Sequence, residues 1–192
     1  KTLKTLLLEE VVRPIREPQL FKEYGLSIPN GILLYGPPGC GKTFIARQLA
    51  EELGFNFIEV TPSEIASSYV HASVLKIRDL FLNAEKHAPC VIFIDEFEAL
   101  VPSRTSLGGH QQYKSEEVNE FLVRLNECKG KNILIMAATN EPSLIDDAIK
   151  RTGRLDKLIY VGPPDFDARI ELLRIYLADR PLGEFHLEEF SQ

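Results

Sequence analysis

Apolar residues along this chain of 192 residues fall into two alternating patterns. Short continuous apolar runs at residues 32–35, 55–60, 91–94, 133–138 and 158–161 predict buried strands. Between them, apolar positions recur once per helical turn, which predicts helices at about 42–53, 73–85 and 115–128, with a short one near 144–150. A strand covered on both faces carries no polar alternation, so the runs point to an α/β fold with a parallel sheet and helices on both sides. Residues 1–15 read as a leading helix ended near Pro14, with a proline-containing connector to Gly31. After the last strand, Gly162-Pro163-Pro164-Asp165 breaks the pattern, and a new helix is expected over roughly 167–178. Gly108-Gly109-His110-Gln111-Gln112 is the expected mobile loop.

Composition narrows the function classes. Lys+Arg 22 against Asp+Glu 28 leave a net charge of −6, which argues against a generic nucleic-acid backbone binder. No apolar run approaches the roughly 18 residues that a membrane helix needs, and no secretory leader pattern is present in this chain. The three cysteines, Cys40, Cys90 and Cys128, lack C-x-x-C spacing, so a reducing intracellular compartment, in the first instance the cytoplasm, is expected. His71, His87, His110 and His186 show no metal-ligand spacing.

The strongest chemical signal is Gly36-Pro37-Pro38-Gly39-Cys40-Gly41-Lys42-Thr43. It fits G-x-x-x-x-G-K-[ST] and lies between a predicted strand and a predicted helix, as a phosphate-binding loop must. The glycines let backbone N–H groups turn toward phosphate oxygens at the positive end of a helix. Lys42 is expected to neutralise the β and γ phosphates and Thr43 to offer its hydroxyl to Mg²⁺. A Gly/Pro turn that merely caps a helix requires neither Lys nor Thr at those two places. Cys40 fills a variable position, as a small residue or as a redox group.

The strand at 91–94 ends in Asp95 and Glu96. Strands often end in acids where they meet solvent. Behind a phosphate loop, however, such a pair suits a magnesium-shell carboxylate, Asp95, and a group that activates the attacking water, Glu96. The strand at 133–138 ends in Thr139-Asn140. The Asn140 amide is suited to hold that water or a γ-phosphate oxygen, or to cap the turn toward Pro142. Arg151 and Arg154 flank a glycine just before the last strand; taken alone, they read as surface charge with local ion pairs.

Together, the phosphate loop, Asp95-Glu96-Phe97-Glu98, Ala138-Thr139-Asn140 and Arg151-Thr152-Gly153-Arg154-Leu155-Asp156 resemble, in order and spacing, an AAA ATPase of the core clade. The resemblance covers nearly the whole chain. It implies a three-layer P-loop NTPase sandwich with a five-stranded parallel sheet in the order 5-1-4-3-2. Residues 1–164 would form the nucleotide-binding subdomain and 165–192 the start of an incomplete helical lid. It implies ATP and Mg²⁺ as ligands, with Gly36, Pro37, Pro38, Gly39, Cys40, Gly41, Lys42, Thr43, Phe44 and Asp95 holding nucleotide, Thr43 and Asp95 the metal, and Glu96 and Asn140 the chemistry. Arg151 and Arg154 match arginine fingers that reach the nucleotide of a neighbouring subunit, so a homo-oligomer, as a rule a hexameric ring, is expected.

In the same family the stretch after the second strand carries a substrate-gripping pore loop; Tyr69 and Val70 match it, while His71 and Ala72 replace the usual Gly and Glu. Tyr69 either grips an extended polypeptide or simply packs where loop meets helix. The favoured reading is a Mg²⁺-ATP-driven motor acting on protein or peptide substrates, without nucleic acid. The alternative is an ATP-dependent switch or scaffold with little motor activity.

Overall fold

All five apolar runs become strands of one parallel sheet in the computed structural model, which describes residues 2–26, 28–66, 72–102, 111–151 and 153–177, without the side chains of 111–115. The strands are β1 (Gly31–Tyr35), β2 (Asn56–Val60), β3 (Cys90–Ile94), β4 (Ile133–Thr139) and β5 (Lys157–Tyr160), ordered β2-β3-β4-β1-β5. Read from the other edge, this is the expected 5-1-4-3-2 order. The sequence-based ends differ from the observed ones by a single residue: Phe55 and Val161 lie outside their strands, and Thr139 lies inside β4.

Alternate side chains of the central strands feed two separate cores. Leu33, Ile92, Ile94, Ile135 and Ala137 face one side, against α6 (Ala72–Lys86) and α8 (Gln111–Glu127). There Phe121 meets Phe81 edge-on at 5.5 Å and lies 5.4 Å from the ring of Phe97. On the other side Ile32, Leu34, Val91, Phe93, Leu134 and Met136 meet Ala46, Leu49 and Ala50 of α4 (Lys42–Leu53) and Leu7, Val11 and Val12 of the leading helix. Burial on both faces is why these strands read as unbroken apolar runs.

Three expectations need correction. Pro14 does not end the leading helix: α1 (Leu3–Leu7), a π-helical turn (Leu8–Val12) and α2 (Arg13–Arg16) run on without a gap. The wide π turn ends just before Pro14, where a missing N–H and a bulky ring are otherwise disruptive. The break comes instead at Glu17 (φ −118°, ψ 54°), the residue before Pro18, which opens α3 (Pro18–Glu23).

The helix expected near 144–150 is absent. A 3₁₀ turn (Pro142–Leu144) is followed by Ile145 in an antiparallel bridge to Pro102. The carboxylate of buried Asp146 then accepts the N–H of Ala148 at 2.8 Å, an Asx-type bond that competes with a helical ladder. Finally, Gln111 and Gln112 belong to α8 rather than to a loop; residues 103–110 lie outside the described residues.

Short helices α5 (Pro62–Ile65) and α7 (Phe97–Leu100) follow β2 and β3. The chain divides into two units, Lys1–Val161 and Gly162–Gln192. In the second, α9 (Phe166–Leu177) follows Asp165, whose carboxylate accepts the N–H of Ala168 at 2.9 Å.

Candidate functional site

Because the strands are parallel, the carboxyl ends of β1, β3 and β4 open on the same edge of the sheet, the usual place for a ligand in such a fold. From β1 the chain enters the phosphate loop through Gly36. Its N–H donates to the Thr139 carbonyl at 3.3 Å, and a Cβ there would stand 2.0 Å from the Val161 carbonyl oxygen. Only glycine fits so close to a neighbouring backbone. Gly41 then adopts φ +83° and starts α4, bringing Lys42 and Thr43 into its first turn.

Lys42 is buried, at 8% exposure, and its ammonium is surrounded by acceptors. It donates to the carbonyls of Gly36 at 2.9 Å and Pro37 at 3.0 Å, and to Asn140 Oδ1 at 2.8 Å. The Thr43 hydroxyl donates to Asp95 Oδ2 at 3.0 Å. Asp95 also accepts, through Oδ1, the N–H of Glu96 at 2.9 Å. Lys42 and Thr43, adjacent in the first turn of α4, therefore reach two groups just beyond the ends of β4 and β3: the cation meets an amide and the hydroxyl meets a carboxylate.

Glu96 follows directly, exposed, with φ 46° and ψ 46°. This left-handed conformation is uncommon for a residue with a side chain and is one of the strained states found at working sites. The turn after β4 is capped by Thr139, not Asn140: the buried Thr139 hydroxyl accepts the N–H of Glu141 at 3.0 Å, while the Asn140 amide reaches Lys42. Thr139 is thus a positioning residue that sequence reasoning missed. Its signal was a hydroxyl two residues before an N–H in a turn leading to Pro142.

The other candidates sit as follows. Pro37, Pro38 and Gly39 are exposed, and half-buried Cys40 points its thiol toward the Pro38 carbonyl at 4.0 Å. Phe44 is 48% exposed and lines a groove of about 410 Å³ with Leu3, Leu7 and Leu8 of the leading helix. Tyr69 and Val70 lie outside the described residues. Burial raises the thiol pKa of Cys90 to about 11 and that of Cys128 to about 12, so both are unreactive core residues.

Arg151 and Arg154 are not brought to the phosphate loop of their own chain. Asn30, just before β1, donates to the Gly153 carbonyl at 3.3 Å, and a Cβ on Gly31 would stand 2.9 Å from the Arg154 carbonyl. The arginine segment therefore lies at the amino end of β1 and the phosphate loop at its carboxyl end. Arg154, half-buried, donates to the Ala148 carbonyl at 2.5 Å, and Arg151 is exposed. Nearby, Lys150 pairs with Asp147 at 2.6 Å and holds that carboxylate below its usual pKa.

Thr43 and Asp95 offer two oxygen ligands at one point, the donor type that Mg²⁺ prefers. Among the described residues no group of three or more His, Cys, Asp and Glu forms a metal cage. No helix among the described residues is long and apolar enough to cross a membrane.

Comparison with known proteins supports the same assignment. The family model described as "ATPase family associated with various cellular activities (AAA)" matches residues 32–163. The chain is 39% identical over 191 residues to the cell division cycle protein 48 homolog of Archaeoglobus fulgidus, an alignment covering 98% of this chain and 26% of that protein. It is 41% identical over 179 residues to the ATP-dependent zinc metalloprotease FtsH of Thermotoga maritima, covering 92% of this chain and 29% of the relative. Identity reaches 44% over 180 residues with the putative ribosome biogenesis ATPase nvl of Dictyostelium discoideum, covering 93% of this chain and 21% of that protein. The chain thus spans about a quarter of the length of these relatives. With a family match over most of its length and the phosphate loop, acidic strand end and terminal amide gathered on one sheet edge, the chain belongs to the ATPase family associated with various cellular activities.

Proposed function

We propose that this chain is the nucleotide-binding core of a Mg²⁺-dependent ATPase that assembles into a ring, as a rule a hexamer, and remodels or threads protein substrates. One observation carries the reading: the bonds Lys42–Asn140 and Thr43–Asp95 tie a cation and a hydroxyl that are neighbours at the start of α4 to an amide and a carboxylate where the strands end. In this reading the backbone from Gly36 to Gly41 cradles the phosphates and Lys42 offsets their charge. Thr43 and Asp95 hold Mg²⁺, which when bound supplies charge neutralisation and orients the phosphate oxygens.

Glu96 orients and deprotonates the attacking water, with Asn140 as its neutral partner. Phe44 contributes to the nucleotide pocket from the first turn of α4. Arg151 and Arg154 serve a neighbouring subunit, an assignment supported by their position at the opposite end of β1 from their own phosphate loop. Residues 1–164 form the nucleotide-binding subdomain and 165–192 begin a helical lid. Tyr69 and Val70 grip the substrate. The relative named as an ATP-dependent zinc metalloprotease supports a protein substrate.

Glu96→Gln tests the hydrolytic part. It keeps shape and removes basicity, so ATP turnover in the full protein should fall by about 10²–10⁴ while ATP binding persists. Unchanged turnover would remove Glu96 from the chemistry.

A further inference from the structure

The ammonium of Lys42 has three protons and three protein acceptors, the carbonyls of Gly36 and Pro37 and the side-chain oxygen of Asn140, at 2.9, 3.0 and 2.8 Å. A phosphate oxygen that takes one of these protons must displace one of these acceptors. They are not equally easy to displace. The Gly36 backbone is wedged against the Val161 carbonyl and tied by its own N–H to Thr139, and Pro37 follows it in the same tight turn. Asn140 is exposed, and its amide swings by side-chain rotation alone, because the backbone turn beyond it is fixed independently by Thr139. With Lys42 buried at 8% exposure, an unpaired proton there is costly, so release of one acceptor and capture of the next must occur together.

We infer that Asn140 competes with nucleotide phosphate for Lys42: it holds the lysine until a β- or γ-phosphate oxygen arrives, and its amide is released by that arrival. Asn140 is then a positioning residue for Lys42 as well as a partner of the attacking water, and it lowers phosphate affinity. The gain from this arrangement is timing. The amide becomes available to the water only when a phosphate has displaced it. This inference rests on the ATPase reading, and the test separates the two.

ADP and AMP binding to the full protein is measured by calorimetry for wild type, Asn140→Ala and Asn140→Leu, with thermal midpoints confirming folding. Leu keeps the branched shape of Asn without an acceptor and Ala removes the branch altogether, so agreement of the two variants isolates the lost hydrogen bond. Both should bind ADP about threefold to tenfold more tightly than wild type, the range expected for one net hydrogen bond. AMP, whose single phosphate does not extend to Lys42, should bind all three proteins alike. ADP affinity that is unchanged or weaker in both variants overturns the competition while leaving the ATPase reading intact. A folded wild-type protein that binds neither ADP nor ATP overturns the ATPase reading itself, and the competition with it.

Discussion

At the carboxyl end of β1 the chain turns through Gly36 into a loop whose cation and hydroxyl find their partners just beyond the ends of β4 and β3 of the same molecule. At the amino end, Asn30 and Gly31 abut the backbone of Gly153 and Arg154 and the side chain of Leu155, where Arg154 is turned to the Ala148 carbonyl and Arg151 stands exposed. One end pairs unlike groups with one another; the other spreads like charges along a surface. The difference separates two kinds of evidence. A converging site argues its chemistry from internal geometry, whereas an outlying pair of cations acquires its role only through what is brought to it.

The largest expected effect tests that separation. In the assembled protein, Arg151→Ala or Arg154→Ala should lower ATP turnover by about 10³–10⁵, the scale of an arginine finger, with ATP affinity little changed. Mixing either variant with Lys42→Ala subunits should partly restore turnover, because each supplies what the other lacks. Absence of rescue in rings shown to form would return both arginines to ordinary surface charge.

The next effect belongs to the carboxyl end. Gly36→Ala places a methyl 2.0 Å from the Val161 carbonyl oxygen, so the loop or the exit from β5 must move. The expected cost is about 3 kcal/mol, the upper part of the range for overpacking, with nucleotide binding lost as well. A variant that matches wild type in thermal midpoint and ATP affinity would show that the loop is not held by this contact.

The smallest effect lies in the arginine segment. The ammonium of Lys150, hydrogen-bonded to Asp147, holds its carboxyl below the ordinary value of 3.8, with the nearby charge of Arg151 adding to the effect. A depressed folded pKa means that the pair contributes fully above the unfolded value and is lost as pH falls through the folded one. Carboxyl titration followed by NMR should show Asp147 protonating below pH 3.8, with the depression reduced in Lys150→Ala. Since Asp147 is solvated, global stability should hardly respond.

Much of the sheet was legible because its strands are buried on both faces, so period and length point the same way. The bounds of α4 were legible too, set by a glycine at each end. What misled was punctuation read without tertiary context. Pro14 is tolerated because a π turn precedes it, and nothing in residues 8–12 announces that turn. The stretch 144–150 has helical spacing, but the Asp146 carboxylate captures an N–H that the helix needed. In the site, residue types named Lys42, Thr43, Asp95 and Asn140, while the division of labour between Thr139 and Asn140 depends on which side chain is buried. The separation of the arginines from the phosphate loop was legible only as distance along the chain; β1 turns it into distance in space.

That strand has a further consequence. Gly31 lets the arginine segment press directly on the first residue of β1, and Gly36 leaves its last residue directly for the phosphates. The five residues of the strand itself, Gly31–Tyr35, at about 3.3 Å each, are stiff and hydrogen-bonded on both sides. β1 therefore acts as a ruler. If each subunit reaches into its neighbour, the stagger between the nucleotide it holds and the one it serves is measured out by one length of strand rather than by a loop that could stretch.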